Sequence, residues 1–403
     1  MRSSTADRIA SLVRAGQRDD PFDRLLWIGM VVLLGSVIFS TAVMHLAAVM
    51  LTAVWIAKMV VRRRWLFRRT ALDIPFLAFV LARVISIPLS VDPAVSLQAF
   101  RTEIFFYVLF FVFTSTIDVK RPEDIRLLLR LVLATAVVAS VVGTAKYFLG
   151  MEARATSTTS GYYTLGLYLC GVMPLALGGA EKILRRATVW VPVSVILMIG
   201  AVFTFDRLHW VGMVLAVLVA GVLWQRLVLP VFVVGAAALL ALFPSVAERA
   251  MEAVNFASHS SGRDVLWRGA QMIWDQHPLF GFGLRTFPLI FPLQAQLLDQ
   301  GVGSWHNDYL QVYMESGFVG LLALCWLIVA LYYHAYRTFR FGSLSPEYRS
   351  IAGALLLSCT ILFLVGGILD THVSLLFRFE LALLALLFTA IQKSSRSNES
   401  WQS

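Results

Sequence analysis

Long apolar runs constrain this chain most, because runs of about 18 or more residues recur along its length and each could cross a bilayer as a helix. Hydrophobic residues make up 59% of the sequence and charged residues only 14%, a balance that excludes an ordinary soluble protein of 403 residues. Helices satisfy their own backbone groups in lipid, whereas barrel strands give weaker, alternating patterns. The sequence therefore predicts an all-α polytopic membrane protein.

The apolar runs predict about twelve transmembrane helices, and the first run is split near Ser40 because it is too long for one crossing. The span cores are residues 25–40, 43–61, 73–89, 103–118, 126–149, 161–180, 189–205, 208–224, 227–243, 317–336, 350–369 and 374–391. The first apolar stretch is too long for a cleaved signal peptide. The predicted divisions are an N-terminal segment (1–24), spans one to nine (25–243), a long loop (244–316), spans ten to twelve (317–391) and a C-terminal tail (392–403).

Cationic residues in the short loops predict which side faces the cytoplasm. The loops after spans two, four, six, eight and ten hold most of them, as in the run Arg62, Arg63 and Arg64. Cytoplasmic loops of membrane proteins are enriched in Lys and Arg. We therefore expect both termini in the cytoplasm and loop 244–316 on the outer face. The net charge of +10 is mostly this topological signal and does not indicate nucleic-acid binding.

Loop 244–316 is the one long connection between predicted spans, and such loops are usually functional or disordered. Its aromatic residues, prolines and helical periodicity argue against disorder. Within it, the segment SSGRDVLWRGAQMIWDQHPLFGFG predicts a helix capped by Ser261 and stopped by Pro278. Arg263 and Arg268 lie near its first turns, as anion ligands or as basic residues on a solvated face.

The stretch GSWHNDYLQVYMESG, residues 303–317, closes the loop and predicts a short helix capped by Ser304. His306 would lie in its first turn, where the helix dipole disfavours a charged imidazole and leaves the ring able to accept a proton. Leu310 and Tyr313 would share its face at spacings of four and seven. The alternative is an interfacial histidine anchored by hydrogen bonds.

Further arginines lie toward the same side. Arg207 occupies the tight turn FTFDRLHW between spans seven and eight, where Asp206 is an alternative partner for it. Arg154 precedes span six. Arg83 lies within span three, where an ionisable residue is a functional candidate, unless it snorkels to the outer surface.

Together, these arginines and one histidine suit a polyanionic lipid headgroup. Guanidinium forks match phosphate oxygens bidentately and stay charged. They could stabilise the charge that develops on a diphosphate leaving group without a metal ion. A neutral His306 could remove a proton from an acceptor hydroxyl. The sequence offers no clear carboxylate pair of the glycosidase type, which disfavours a covalent glycosyl intermediate.

The order and spacing of these motifs resemble the O-antigen ligase and polymerase superfamily of membrane glycosyltransferases. The resemblance is carried by Arg263 and Trp267, HPLFGFG at 277–283, HNDYLQ at 306–311 and ESGFVGLL at 315–322. It mainly covers residues 200–330 and is closest to the ligases that attach O-antigen to lipid A–core. Twelve transmembrane helices with a large helical periplasmic loop between spans nine and ten agree with that family.

The resemblance implies a metal-independent enzyme of the bacterial inner membrane, needing no cofactor, with its active site facing the periplasm. His306 would activate the acceptor hydroxyl, and Arg207 and Arg263 would bind the donor diphosphate. Further substrate contacts are expected from Arg83, Arg154, Arg268, Asn307, Asp308 and Tyr313. The expected partners are undecaprenyl diphosphate-linked O-antigen, lipid A–core oligosaccharide and membrane lipids, and direct displacement would invert the anomeric carbon. Many family members have Ser-Arg where this chain has Asp206-Arg207.

Other functions fit the same sequence. An O-antigen polymerase would use the same donor with a second lipid-linked glycan as acceptor, and a protein O-oligosaccharyltransferase would use a protein hydroxyl. A transporter of anionic lipids belongs to a different class. Transporters often have repeated halves and ionisable residues near the bilayer midplane. This chain has no evident internal repeat, and its arginines lie mostly toward the outer edge, so glycan transfer is favoured.

Overall fold

A computed structural model describes residues 20–117, 122–159, 161–179, 183–184, 189–254, 263–297, 302–341 and 346–367. Within these ranges the protein is helical and has no β-strand. The main helices are α1 (Pro21–Ser36), α2 (Thr41–Arg62), α3 (Asp73–Ser86), α4 (Pro93–Thr116), α5 (Pro122–Phe148), α6 (Gly161–Pro174), α7 (Trp190–Val202), α8 (Arg207–Leu223), α9 (Val228–Leu242), α10 (Pro244–Val254), α11 (Arg263–Gln271), α12 (Phe287–Ile290), α13 (Asp308–Phe341) and α14 (Pro346–Thr360). Short π-helical turns extend α6 over Leu175–Gly179 and α14 over Ile361–Gly366.

The all-α class is confirmed, while the number of crossings stays a prediction. Helices lie over the first eleven predicted spans, and the twelfth, 374–391, lies outside the described residues, as does most of segment 1–24. Within the described part of the chain, five helices are long and apolar enough to cross a membrane. The number rises to six if α9 and α10, which meet at a bend of 109°, form one broken span.

Polar caps determine where several helices begin. Ser40 caps α2 by accepting the Val43 N–H at 3.3 Å, which separates α1 from α2 at the expected split. Asp92 caps α4 through the N–H groups of Ala94 and Val95. Such side chains satisfy backbone donors that have no partner within the helix.

The part of the loop described over residues 263–297 and 302–314 has its own apolar core, separate from the core between the long helices. Leu266 and Ala270 of α11, and Ile273 just after it, belong to one buried cluster with Phe287 and Trp305. The predicted helix after Ser261 is present, but it ends at Gln271 and turns occupy the residues up to Pro278. Ser261 itself lies outside the described residues. The loop is therefore a packed structure that can hold side chains in fixed positions.

Glycines join this loop to α13. The Phe282 N–H donates to the Met314 carbonyl at 2.7 Å, and the Phe318 N–H donates to the Pro278 carbonyl at 2.7 Å. Gly317 has φ +64° and ψ −163°, which kinks α13, and a Cβ there would lie 2.2 Å from the Leu279 carbonyl carbon. The motifs HPLFGFG and ESGFVG thus form one joint in which two backbones approach too closely for side chains.

Candidate functional site

Arg207 is the first residue of α8 and lies just before the predicted span 208–224. Asp206 caps the helix, since its Oδ1 accepts the Leu208 N–H at 3.0 Å. The Arg207 Nη1 donates to the Glu252 carbonyl oxygen at 3.0 Å. The Asp206 carboxylate therefore acts as a helix cap, a role that serine can also fill.

Two further arginines lie near Arg207, and we refer to Arg207, Arg249 and Arg263 as the arginine cluster. Burial lowers the pKa of the Arg207 guanidinium, and the charges of Arg249 and Arg263 lower it further, while Glu252 and Asp206 raise it. The Arg249 Nε donates to the Phe205 carbonyl at 3.0 Å, and its Nη1 pairs with Glu252. A guanidinium stays protonated despite such a shift, so the cluster concentrates positive charge where an anion would relieve repulsion.

Arg249 was not anticipated from the sequence, although a signal for it exists. It lies in PSVAERAMEAV, where a proline at the first position and apolar residues that recur every three or four positions indicate an amphipathic helix. The bend between α9 and α10 carries this helix to the start of α8, where Arg249 reaches the Phe205 carbonyl. An assignment of α10 as a helix would have identified Arg249 as a candidate.

Arg268 and Arg154 occupy other environments. The Arg268 Nη2 approaches the Asp264 Oδ2 at 3.4 Å within α11, and its side chain is 59% exposed. The Arg154 guanidinium lies 4.4 Å from the ring centroid of Tyr162, a cation–π arrangement. Substrate contacts for both residues stay predictions.

His306 lies before α13 and not in its first turn, so the predicted cap at Ser304 is wrong. The helix begins at Asp308, and Asn307 caps it by accepting the Leu310 N–H on Oδ1 at 2.9 Å. His306 has φ +49°, which is incompatible with a helical turn. Asparagine and serine cap helices about equally well, so the left-handed backbone of His306, rather than cap preference, prevents a helix from beginning at Ser304.

The expected common helical face of His306 and Tyr313 is therefore also wrong. The Tyr313 hydroxyl donates to the Trp274 carbonyl oxygen at 2.8 Å, which ties α13 to the turn after α11. The Asp308 carboxylate lies in the first turn of α13, where the helix dipole favours negative charge. Substrate contacts from Tyr313, Asn307 and Asp308 remain predictions, although the Asn307 side chain already caps the helix.

The backbone of His306 is strained, and its neighbours hold it there. A non-glycine residue in the left-handed region costs about 1–3 kcal/mol and persists where the surroundings enforce it. Trp305 is 1% exposed, with ring centroids 4.8 Å from Phe287 and 5.6 Å from Phe291. Trp305 also shares its apolar cluster with Leu266 of α11. The helix that begins with Arg263 and the segment that carries His306 therefore belong to one packed unit.

Arg83 lies in a buried ion-pair network that the sequence did not reveal. Its side chain is 1% exposed, and its Nη2 donates to Glu103 Oε2 at 2.8 Å and to Glu315 Oε2 at 3.1 Å. The Tyr107 hydroxyl donates to the same Glu103 oxygen at 2.8 Å. Arg83 does not snorkel to the surface, so that alternative is wrong, and the pairing favours a structural role. The backbone N–H of Arg285 donates to Glu315 Oε1 at 2.8 Å.

Among the described residues, no group of three or more His, Cys, Asp or Glu side chains is arranged to hold a metal ion.

One of the comparisons with known proteins agrees with the motifs. No curated protein matches the chain. A family model described as O-antigen ligase matches residues 192–325, which include Arg207, Arg263 and His306. This match covers about a third of the 403 residues and supports assignment of the chain to the O-antigen ligase superfamily.

Proposed function

We propose that this protein is an inner-membrane glycosyltransferase that moves O-antigen from undecaprenyl diphosphate to the lipid A–core oligosaccharide. The observation that carries the proposal is the arginine cluster, in which Arg207 and Arg249 both bind Glu252, and Arg263 lies close enough to Arg207 to lower the pKa of its guanidinium. Three neighbouring guanidinium groups suit a diphosphate, whose oxygens accept bidentate hydrogen bonds. The match to an O-antigen ligase family over the same residues supports this choice of donor.

The proposed reaction is a single displacement. The acceptor oxygen forms a bond to the anomeric carbon while the bond from that carbon to the phosphate oxygen breaks, and the electron pair leaves with the diphosphate. His306 takes the proton of the acceptor hydroxyl. Arg207 and Arg263, together with Arg249, stabilise the charge that develops on the leaving group. Attack opposite the leaving group inverts the anomeric configuration.

The decisive test of the base is His306→Ala in purified protein. General-base loss typically costs 10²–10⁴-fold in rate, so we expect ligation to fall by about that factor while the folded protein persists. Product is measured with lipid-linked O-antigen plus lipid A–core, in the presence of a chelator. His334→Ala is the matched control, because residue 334 lies beyond the kink at Gly317 by roughly 25 Å of helix at 1.5 Å per residue. Normal ligation by His306→Ala would show that His306 is not the general base.

The same assay without lipid A–core distinguishes the acceptors. A ligase joins donor glycan to lipid A–core and gives no product from donor alone. A polymerase would lengthen the lipid-linked glycan without lipid A–core, and a protein O-oligosaccharyltransferase would need a protein hydroxyl. Product formation in the absence of any gradient would separate an enzyme from a transporter of anionic lipids.

The diphosphate site is tested by Arg207→Lys. A lysine retains the charge but loses the planar fork, so we expect the donor KM to rise by about 10-fold or more, the value of one hydrogen bond to a charged group. Arg226→Lys, at an exposed position after α8, serves as the control and should leave the KM unchanged. An unchanged KM in Arg207→Lys would place the diphosphate elsewhere.

A further inference from the structure

A chain of buried hydrogen bonds runs from α3 to the residue beside His306. Arg83 donates to Glu315 Oε2 at 3.1 Å, and Glu315 Oε1 accepts the Gln311 Nε2 at 2.6 Å. The Gln311 Oε1 then accepts the backbone N–H of Trp305 at 2.9 Å. All four residues are 1–2% exposed, so water does not compete for these bonds. This series of hydrogen bonds therefore connects α3 to the peptide that precedes the histidine.

The hydrogen-bond chain fixes the residue before His306, and the helix cap fixes the residue after it. The Trp305 amide is bound by Gln311, and Asn307 is bound by its capping contact to Leu310. Only His306, with φ +49°, lies between these two anchored residues. A strained conformation of this kind relaxes when one of its anchors is lost.

We propose that Gln311 and Glu315 are positioning residues that fix the direction of the His306 imidazole through the Trp305 amide. This inference rests on the proposed role of His306 as the base. Glu315 orients the Gln311 amide so that its oxygen faces Trp305, and the hydrogen bond from Arg83 holds the Glu315 carboxylate in place. Neither Gln311 nor Glu315 needs to touch either substrate. The general gain from such positioning is large, since a displacement of about 1 Å can cost about 100-fold in rate.

The test replaces Gln311 by methionine, which has a similar length but accepts no strong hydrogen bond. We expect Gln311→Met to lower kcat by about 10- to 100-fold. The dissociation constant and stoichiometry of this variant for the lipid diphosphate donor should stay unchanged, because the arginine cluster is not part of the hydrogen-bond chain. Tyr107→Phe is the matched control: it removes one buried hydrogen bond, from Tyr107 to Glu103 in the same network, and leaves the Trp305 amide bound. We expect its kcat per donor-binding site to equal that of the unaltered protein.

A conservative variant provides the second readout. In Gln311→Glu, two neighbouring carboxyl groups share a proton, so the new side chain can donate to Glu315 and still accept from Trp305. We expect it to recover most of the lost kcat. A Gln311→Met variant with unchanged kcat would overturn the proposal, as would equal losses of kcat in Gln311→Met, Gln311→Glu and Tyr107→Phe. His306→Ala measured alongside keeps the inferences apart: an inactive His306→Ala with a fully active Gln311→Met overturns only the positioning role.

Discussion

The side chain before Arg207 shows how one residue can serve the fold next to a binding group. Asp206 caps α8 and also places a negative charge beside the arginine cluster. The first role stabilises the helix end that presents Arg207, and the second weakens attraction for an anion. Serine would keep the first role and remove the second.

We expect Asp206→Ser to preserve stability and to lower the donor KM, because serine caps helices about as well as aspartate and carries no charge. Asp206→Ala should lose the cap and destabilise the protein by about 1 kcal/mol. Thermal unfolding in detergent measures the stability of each variant, and initial ligation rates measure the change in donor KM. A serine variant as unstable as the alanine variant would show that the carboxylate acts otherwise than as a cap.

The sequence identified residues whose role follows from local pattern, and missed those defined by tertiary contact. Arg207 stood out because it lies in a tight turn at a predicted membrane edge, and Arg263 because it lies near the first turn of a predicted loop helix; their roles in binding stay predictions. Glu315 looked unremarkable within ESGFVGLL, since its partner Arg83 lies 232 positions away in the chain. No periodicity or spacing reports such a distant pairing. The Gln311 side chain was missed for another reason: it accepts a hydrogen bond from the Trp305 backbone amide, six positions earlier, and a bond to a backbone group leaves no residue pattern in the sequence.

At the scale of elements, the break within α13 agrees with expectation. The sequence predicted a short helix ending at Gly317 and a separate span over 317–336, and the structure has two helical segments that meet at Gly317, whose φ of +64° and ψ of −163° are not helical. Glycine is a helix-stop signal in sequence terms. The sequence could not show why a glycine is needed at this break: a Cβ there would lie 2.2 Å from the Leu279 backbone. That contact is tertiary and lies outside the local sequence.

The joint between the loop and α13 makes a prediction at the same scale. Gly317→Ala places a methyl group 2.2 Å from the Leu279 backbone and forces a side chain into a conformation almost confined to glycine. We expect a loss of at least about 1–3 kcal/mol in stability and a fall in activity. Gly303→Ala is the control, since a Cβ there meets nothing within 4 Å. Equal unfolding midpoints and equal rates for the two variants would contradict this account of the joint.

At the scale of the whole molecule, composition predicted the helical membrane class because apolar runs depend only on local sequence. From the sequence, loop 244–316 could be predicted not to be disordered, but its folding into a packed unit could not be predicted. Its core joins residues from α11, α12 and the segment before α13, and Trp305 and Phe287 reveal their contact only in three dimensions. The side of the membrane on which this unit lies is predicted instead from the distribution of cationic residues in the loops.

The distribution of arginines predicts that loop 244–316 faces the periplasm, and the lipid-linked donor makes this placement necessary for the proposed reaction. In a variant without native cysteines, Gln276→Cys places a thiol at an exposed loop position, and Arg226→Cys places one at an exposed position after α8. A membrane-impermeant maleimide applied to spheroplasts should label position 276 directly and position 226 only after the membrane is permeabilised. The cysteine-free variant measures background labelling. The reverse pattern would put the arginine cluster and His306 in the cytoplasm, where the proposed ligation could not reach lipid A–core on the outer leaflet.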